Sequence, residues 1–210
     1  MSPAHRLVTA ASLLVVLQTA ASQELAVPPL LSVGERWTYQ TYDGQYDEGA
    51  FTIEVVEQST TGYSLSAKDV TAKTPSFIPS SLTLDLNWVQ RGVEDPAAYC
   101  WLSFPLVVGR TWSCKTNWTN QKGHHGEDNI TWKVVGPERI TVKAGTFDTV
   151  KIVGEGRWKN NATGNSDLSK IAVWFSPEIR GTARYQRENW PKNPGNPQGR
   201  LELVRYGTAQ

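Results

Sequence analysis

The sequence predicts an all-β protein: one curved antiparallel sheet forming a half-open barrel, with little helix. Three observations carry that expectation. Val134 to Trp158, VVGPERITVKAGTFDTVKIVGEGRW, reads as a hairpin whose second arm alternates over its whole length. In that arm Val150, Ile152, Gly154, Gly156 and Trp158 share one face, while Lys151, Glu155, Arg157 and Lys159 share the other, with Val153 the apolar exception. This is the period-2 pattern of a strand with one dry side and one wet side. Two glycines on the dry side just before a large aromatic suit a strand that bends. The second observation is composition: nine tryptophans in 210 residues, in alternating segments of the kind that favour strands. The third is that no stretch after residue 22 carries an apolar stripe at helical spacing.

Residues 1–22 read as a secretory leader. Arg6 supplies the basic start, Leu7 to Ala21 the apolar run, and Ala20-Ala21-Ser22 the small residues of a cleavage site. The run is too short to span a bilayer, and no later segment is apolar enough to do so. The rest, 23–210, is long enough for one β domain with a sizeable core. Of 21 basic residues only Arg6 falls in the leader, so 20 face 20 acidic ones. That balance argues against a nucleic-acid partner. Export predicts a periplasmic or secreted location, where Cys100 and Cys114 can hold a disulfide between neighbouring strands. Closing a loop of that length stabilises by about 3 kcal/mol in the chain-entropy model.

Val27-Pro28-Pro29-Leu30 is an extended lead-in, since two prolines exclude helix. Leu31-Ser-Val-Gly-Glu-Arg-Trp37 then opens the domain with a turn glycine and a strand. The phrase returns as Leu106-Val-Val-Gly-Arg-Thr-Trp112, with Leu, Val, Gly and Trp at identical spacing. Phe51, Ile53 and Val55 alternate after the first copy as Ile130, Trp132 and Val134 do after the second. The chain therefore reads as two duplicated β-meander halves. In the first, Ser59 to Gly62 is a turn and Tyr63 starts the return. Pro75 to Ser81 breaks the sheet, and Leu82 to Trp88 is predicted as one strand with Leu82, Leu84, Leu86 and Trp88 on a single face. Asp95-Pro96 starts a loop. In the second half Asn120 to Asn129 is a polar hairpin tip. Lys170 to Phe175, apolar on both parities, belongs in the middle of the sheet. Ala183 and Tyr185 share a face, Trp190 to Gly199 is a Pro/Gly/Asn loop, and Arg200 to Tyr206 closes the sheet.

Glu138-Arg-Ile-Thr-Val-Lys-Ala-Gly-Thr-Phe-Asp-Thr-Val-Lys-Ile152, Trp174-Phe-Ser-Pro-Glu-Ile-Arg-Gly181 and the opening Gly34 to Trp37 together resemble a family of exported bacterial proteins of unknown function. The resemblance implies a curved, half-open β-barrel like that of the LolA/LolB-like lipoprotein carriers, and an envelope location. It supplies no catalytic residues. The chain departs from the pattern at Arg180, which stands before a glycine that the family places directly after the aliphatic residue. It departs from the carriers in lacking their helical segments.

His124 and His125, the two histidines after the leader, stand beside Glu127 and Asp128 in a polar tip. Adjacent side chains diverge, so the reading is a solvated turn with no metal and no cofactor. No GxSxG elbow, P-loop or GxGxxG fingerprint occurs. Glu54, Glu57, Asp69, Asp85, Glu155 and Glu178 would have to meet from separate strands to serve a glycosidase-like hydrolase; each also fits a wet face or a turn. Asn117, Asn129 and Asn161 match the N-x-T acceptor pattern. The working feature expected is the inward face. Leu84, Leu86, Trp88, Trp132, Ile152, Trp158 and Trp174 are predicted to line it, either packed on one another or around an apolar ligand. Burying a methylene is worth about 0.8 kcal/mol, so an acyl chain needs no special polar contact to bind. The expectation is a non-catalytic envelope protein that takes a lipid, another apolar ligand or an envelope protein, with a secreted hydrolase as the alternative.

Overall fold

The computed structural model describes residues 24–43, 46–69, 79–90, 99–119, 123–190 and 199–208. The leader and most of the loops expected near Asp95 and Pro194 lie outside them.

Among the described residues thirteen strands follow one another: β1 Glu24–Ala26, β2 Glu35–Asp43, β3 Tyr46–Gln58, β4 Gly62–Asp69, β5 Pro79–Thr83, β6 Trp88–Gln90, β7 Leu106–Val107, β8 Thr111–Thr119, β9 His125–Val142, β10 Gly145–Asn160, β11 Ser166–Ser176, β12 Gly181–Trp190 and β13 Gly199–Thr208. Eleven form a single antiparallel sheet in the order β6-β5-β4-β3-β2-β13-β12-β11-β10-β9-β8. It curls through 294°, a half-barrel without helix among the described residues. Two meanders, β2 to β6 and β8 to β13, are joined where the last strand pairs with β2.

The two halves repeat in detail. Glu35 N–H donates to Ser32 O at 3.1 Å, and Arg110 N–H to Val107 O at 3.0 Å. Gly34 and Gly109, both at positive φ, donate their N–H groups to Val55 O and Val134 O at 2.8 and 2.9 Å. Glycine is needed there because the turn places it in the left-handed region. One residue past each of those valines the sheet bulges, skipping Val56 in β3 and Val135 in β9. Leu31 and Leu106 are buried in both copies.

The longest hairpin does more than extend the sheet. Beyond the bulge at Val135, β9 and β10 fold back across the outer face of strands they do not adjoin. Ala144 N–H donates to Leu203 O at 3.1 Å. Arg184 Nη2 donates to Thr141 O at 2.9 Å, and Phe147 meets Tyr206 edge-on with 5.7 Å between ring centres. Trp174 Nε1 donates to Glu138 Oε1 at 3.0 Å. Lys151 Nζ lies 2.9 Å from the other Glu138 oxygen and 5.0 Å from the centre of the Trp174 ring. β11 is thus covered on both faces, as its composition predicts. Burial opposes ionisation of Glu138, but the Lys151 ammonium and the Trp174 indole outweigh it and hold the carboxyl below its ordinary 4.5. A folded-state pKa depressed in this way adds stability above the ordinary value, lost as pH falls through the folded one. Glu138→Gln is therefore expected to be less stable than wild type at neutral pH by up to about 1 kcal/mol. The gap should close in acid below about pH 4, as read by urea melts across pH.

Three expectations on strand limits are corrected. Leu82 to Trp88 is not one strand but a hairpin between β5 and β6. Leu86 N–H donates to Thr83 O at 2.9 Å and Leu86 sits at φ 58, so the alternation breaks and Leu84 points outward, 45% exposed. The turn is driven by Asp85 and Asn87, residues that tolerate tight turns, inside what reads as clean alternation. The polar tip expected over Asn120 to Asn129 is shorter, because β9 starts at His125. The break expected at Pro75 to Ser81 ends by Pro79, the first residue of β5, a position that spares the ladder a missing donor.

The disulfide forms, with 6.4 Å between the Cys100 and Cys114 Cα atoms. It joins β8 not to a neighbouring strand but to an irregular segment, 99–104. That segment spans the gap between the free edges of the sheet, β6 and β8. Tyr99 N–H donates to Trp88 O at 2.9 Å, and the Asn87 side chain both donates to Leu102 O and accepts from Leu102 N–H, each at 2.8 Å. On the β8 side the Trp112 indole donates to Cys100 O at 2.7 Å. Asn87 is buried, so Asn87→Ala leaves two main-chain groups without partners. A loss of about 3 kcal/mol is expected, read as a lower denaturation midpoint with an unchanged m-value.

Candidate functional site: an aromatic pocket at one end of the barrel

The segment that bridges the gap also fills the hollow. Trp101 packs on Trp88 and Tyr185 with ring centres 5.4 and 5.2 Å apart, and Phe104 packs on Phe175 at 5.3 Å. Below it, among Trp37, Tyr39, Leu82, Leu86 and Leu102, a void of only about 10 Å³ remains. Around these residues the interior is closely packed. Above it, towards the ends of β2, β12 and β13, a cavity of about 260 Å³ opens between Tyr42, Trp88, Tyr99, Trp101, Tyr185, Arg187, Arg200 and Leu201.

Its floor is ionic. Arg187 donates from Nη1 to Asp128 Oδ2 at 3.0 Å, and from Nη2 to Asp128 Oδ1 and Ser169 Oγ at 3.3 and 3.0 Å. Trp118 Nε1 donates to Asp128 Oδ1 at 3.2 Å. The Asp128 side chain is 4% exposed and that of Arg187 25%, so the carboxylate is sealed and the guanidinium borders the cavity. Burial works against the Arg187 charge, but Asp128 outweighs it and raises the pKa further. Burial also lifts the Tyr99 and Tyr185 phenols above the ordinary tyrosine value, so both stay neutral. Arg200 stacks on Tyr42 at 4.2 Å at the rim. The pocket is aromatic, its one buried ion pair internally neutralised, with phenols and a guanidinium edge for hydrogen bonding. It can hold a largely apolar molecule without demanding a charge from it.

The seven residues predicted for the inner face separate. Leu86, Trp88, Trp132 and Ile152 are buried in the core, and Trp88 alone of the seven borders the cavity. Trp158, paired with Asp128 and Asp167, is half-buried on the inward parity. Leu84 is exposed in its turn. Trp174 is opposite Lys151 and Arg184 in the register, hence on the outer face, where Lys151 and Arg184 flank its ring. Its position is corrected accordingly: lysine and arginine stems bury it, not the hollow.

The pocket residues missed had one legible signal. Ala183 and Tyr185 share the inward face, and continuing that alternation brings Arg187 inside, a charge on a dry face. The Ile130–Trp132–Val134 alternation, carried back one step, brings Asp128 inside from β9 in the same way; what neither strand's pattern gives is that the two charges meet. The carboxylates considered for hydrolysis stand apart. Glu54 pairs with Arg36 and Glu155 with Lys170 on outer faces; Glu57 accepts from Ser64, Glu178 from Tyr206, and Asp85 lies in the β5–β6 turn. The Asp69 side chain lies outside the described residues. His125 bonds Thr119 and Glu127 meets Lys115, while Asp128 points inward. No group of metal-binding side chains occurs among the described residues.

No protein-family model and no curated protein matches the sequence. Among solved structures, the chain is similar to a candidate lipoprotein from Parabacteroides distasonis, with TM-score 0.53 and 15% identity over 88% of this chain and all of that one. The likeness is one of fold. A candidate exported protein with a YmcC-like fold from Bacteroides fragilis superposes with TM-score 0.49 at 15% identity over the same shares. No helix among the described residues is long and apolar enough to cross a membrane.

Proposed function

We propose that this is a non-catalytic protein of the bacterial cell envelope that holds the apolar part of a small ligand, such as a lipid chain, in the aromatic pocket. The observation that carries this reading is the contrast inside one barrel: around Trp37, Leu82 and Leu102 only about 10 Å³ remains, while about 260 Å³ opens beside Trp88, Trp101 and Tyr185. A packed scaffold has no need of such a cavity, since voids forfeit dispersion contacts. Its volume falls just under the range of about 300–1,000 Å³ usual for ligand sites, which suits one short chain or ring and not a whole lipid. Export is supported by the leader-like residues 1–22, by the disulfide and by the candidate lipoprotein that shares the fold.

The test is native mass spectrometry of protein taken from its host, followed by titration with a fluorescent medium-chain fatty acid. A co-purifying lipid, or saturable binding that Asp128→Leu/Arg187→Met leaves within a few-fold and Leu201→Phe or Tyr185→Trp abolishes by filling the space, is expected. Protein that carries nothing and binds no acyl probe would overturn the reading.

A further inference from the structure

The mouth of the aromatic pocket carries a positive charge that a purely apolar ligand would leave unanswered. Among the described residues that line the cavity, Arg187 and Arg200 are charged and none is an acid. The two arginines differ in what surrounds them. Arg187 holds Asp128 with both terminal nitrogens, so its charge is met behind the cavity wall. Arg200 holds no carboxylate within hydrogen-bond reach among the described residues. Its Nε stands 3.8 Å from Glu202 Oε1, too far for a hydrogen bond, and that same oxygen lies 2.9 Å from Arg184 Nε. Two guanidiniums thus share one carboxylate. What Arg200 does touch is the ring of Tyr42, 4.2 Å from its guanidinium carbon, and Lys143 Nζ lies 5.5 Å from the centre of the same ring. A stacked guanidinium keeps its N–H groups in its own plane, available to a planar acceptor. The Arg200 side chain is 32% exposed, so an incoming group can reach it.

We propose, resting on the pocket reading above, that the ligand is a single-chain amphiphile with an oxyanion head, a carboxylate or a phosphate. Its chain lies among Trp88, Trp101 and Tyr185, and its head is bound by Arg200 at the mouth. This gives the ligand both a charge and a direction. Either head offers two oxygens to one guanidinium, the pairing that arginine makes best. The reverse orientation is disfavoured, because a head inside would bring a second anion to the guanidinium that Asp128 already occupies and strip that head of water. A cationic head fares no better despite the aromatic walls. It would meet Arg200 and Lys143 at the mouth, with no acid in the described lining to receive it.

The experiment is calorimetric titration of the exported protein with octanoate, octyl phosphate and octanol, one chain with three heads, at about pH 8 where both acids are ionised. At least one oxyanion should bind tenfold or more tighter than octanol, and the tighter of the two names the head. Arg200→Gln should bring that oxyanion down to the affinity of octanol while octanol itself binds as before. Should Arg200→Gln prove unstable in a thermal melt, wild type titrated at low and high salt replaces it: the oxyanion preference should shrink with salt and octanol binding should not fall. Octanol that binds as tightly as both oxyanions, a preference that survives Arg200→Gln, or one that salt leaves untouched would each overturn this proposal while the pocket reading stands. Failure of all three ligands to bind would overturn the pocket reading itself, and the head assignment with it.

Discussion

Gly156→Val is expected to destabilise the protein by more than about 3 kcal/mol, at the upper end for overpacking, and to lower its melting temperature by roughly 10 °C for a domain of this size. The cause is an approach of main chain to main chain. A Cβ on Gly156 would fall on the carbonyl of Asn129, with the Ile130 Cα 2.8 Å away. Both atoms belong to β9, held in register on either side, so neither can move without shifting the ladder. Gly154 differs. Its Cβ would meet the Trp132 ring at 2.6 Å and Ile130 Cγ2 at 2.8 Å, and side chains can rotate. Gly154→Val should therefore cost less, about 1–3 kcal/mol. Gly207→Ala, with open space around it, is the control and should change little. Thermal melts of the three variants decide the matter: equal, small shifts for Gly156→Val and Gly207→Ala would remove the explanation. The role of these glycines is thus more specific than letting a strand bend. Gly154 pairs directly with Trp132, whose ring covers the missing side chain, and Gly156 lets the backbone of β9 come close.

Asp128→Ala should be nearly as damaging, about 3–5 kcal/mol, because it strands the Arg187 guanidinium in the interior without its carboxylate. The double change Asp128→Leu/Arg187→Met removes both charges and should recover most of that loss, since an apolar pair of similar size avoids desolvation altogether. Denaturant unfolding of the single and double variants checks this. If the double variant is as unstable as Asp128→Ala alone, the damage comes from lost packing and not from an unpaired charge. The same set bears on the pocket. Arg187 borders the cavity while Asp128 lies behind it, so a ligand that needs the guanidinium loses affinity in the double variant even where stability returns. A ligand held by Trp88, Trp101 and Tyr185 does not.

The candidate site was less legible than the fold for a reason that Arg187 illustrates. Its inward parity follows from the Ala183–Tyr185 alternation, a local property of one strand. That it meets Asp128 depends on how far the sheet curls, because two strands, β11 and β10, lie between β12 and β9 in its order. Trp101 and Tyr99 sit in a segment with no periodicity, whose path is fixed by Asn87, Trp112 and a disulfide.

By itself the sequence determined the all-β class, the long hairpin and its dry face, the repeated turn, the central place of β11 and the bonding of Cys100 with Cys114. Each is written in spacing along one strand, in a turn glycine, or in a count of two cysteines. Only the tertiary structure decided that the hairpin tip folds back over the outside, that Trp174 lies there and not in the hollow, and that segment 99–104 plugs one end while leaving the other open. Alternation says which side chains share a face. It does not say how tightly a sheet curls or what crosses its open side, and those two quantities set whether an apolar face becomes core or cavity.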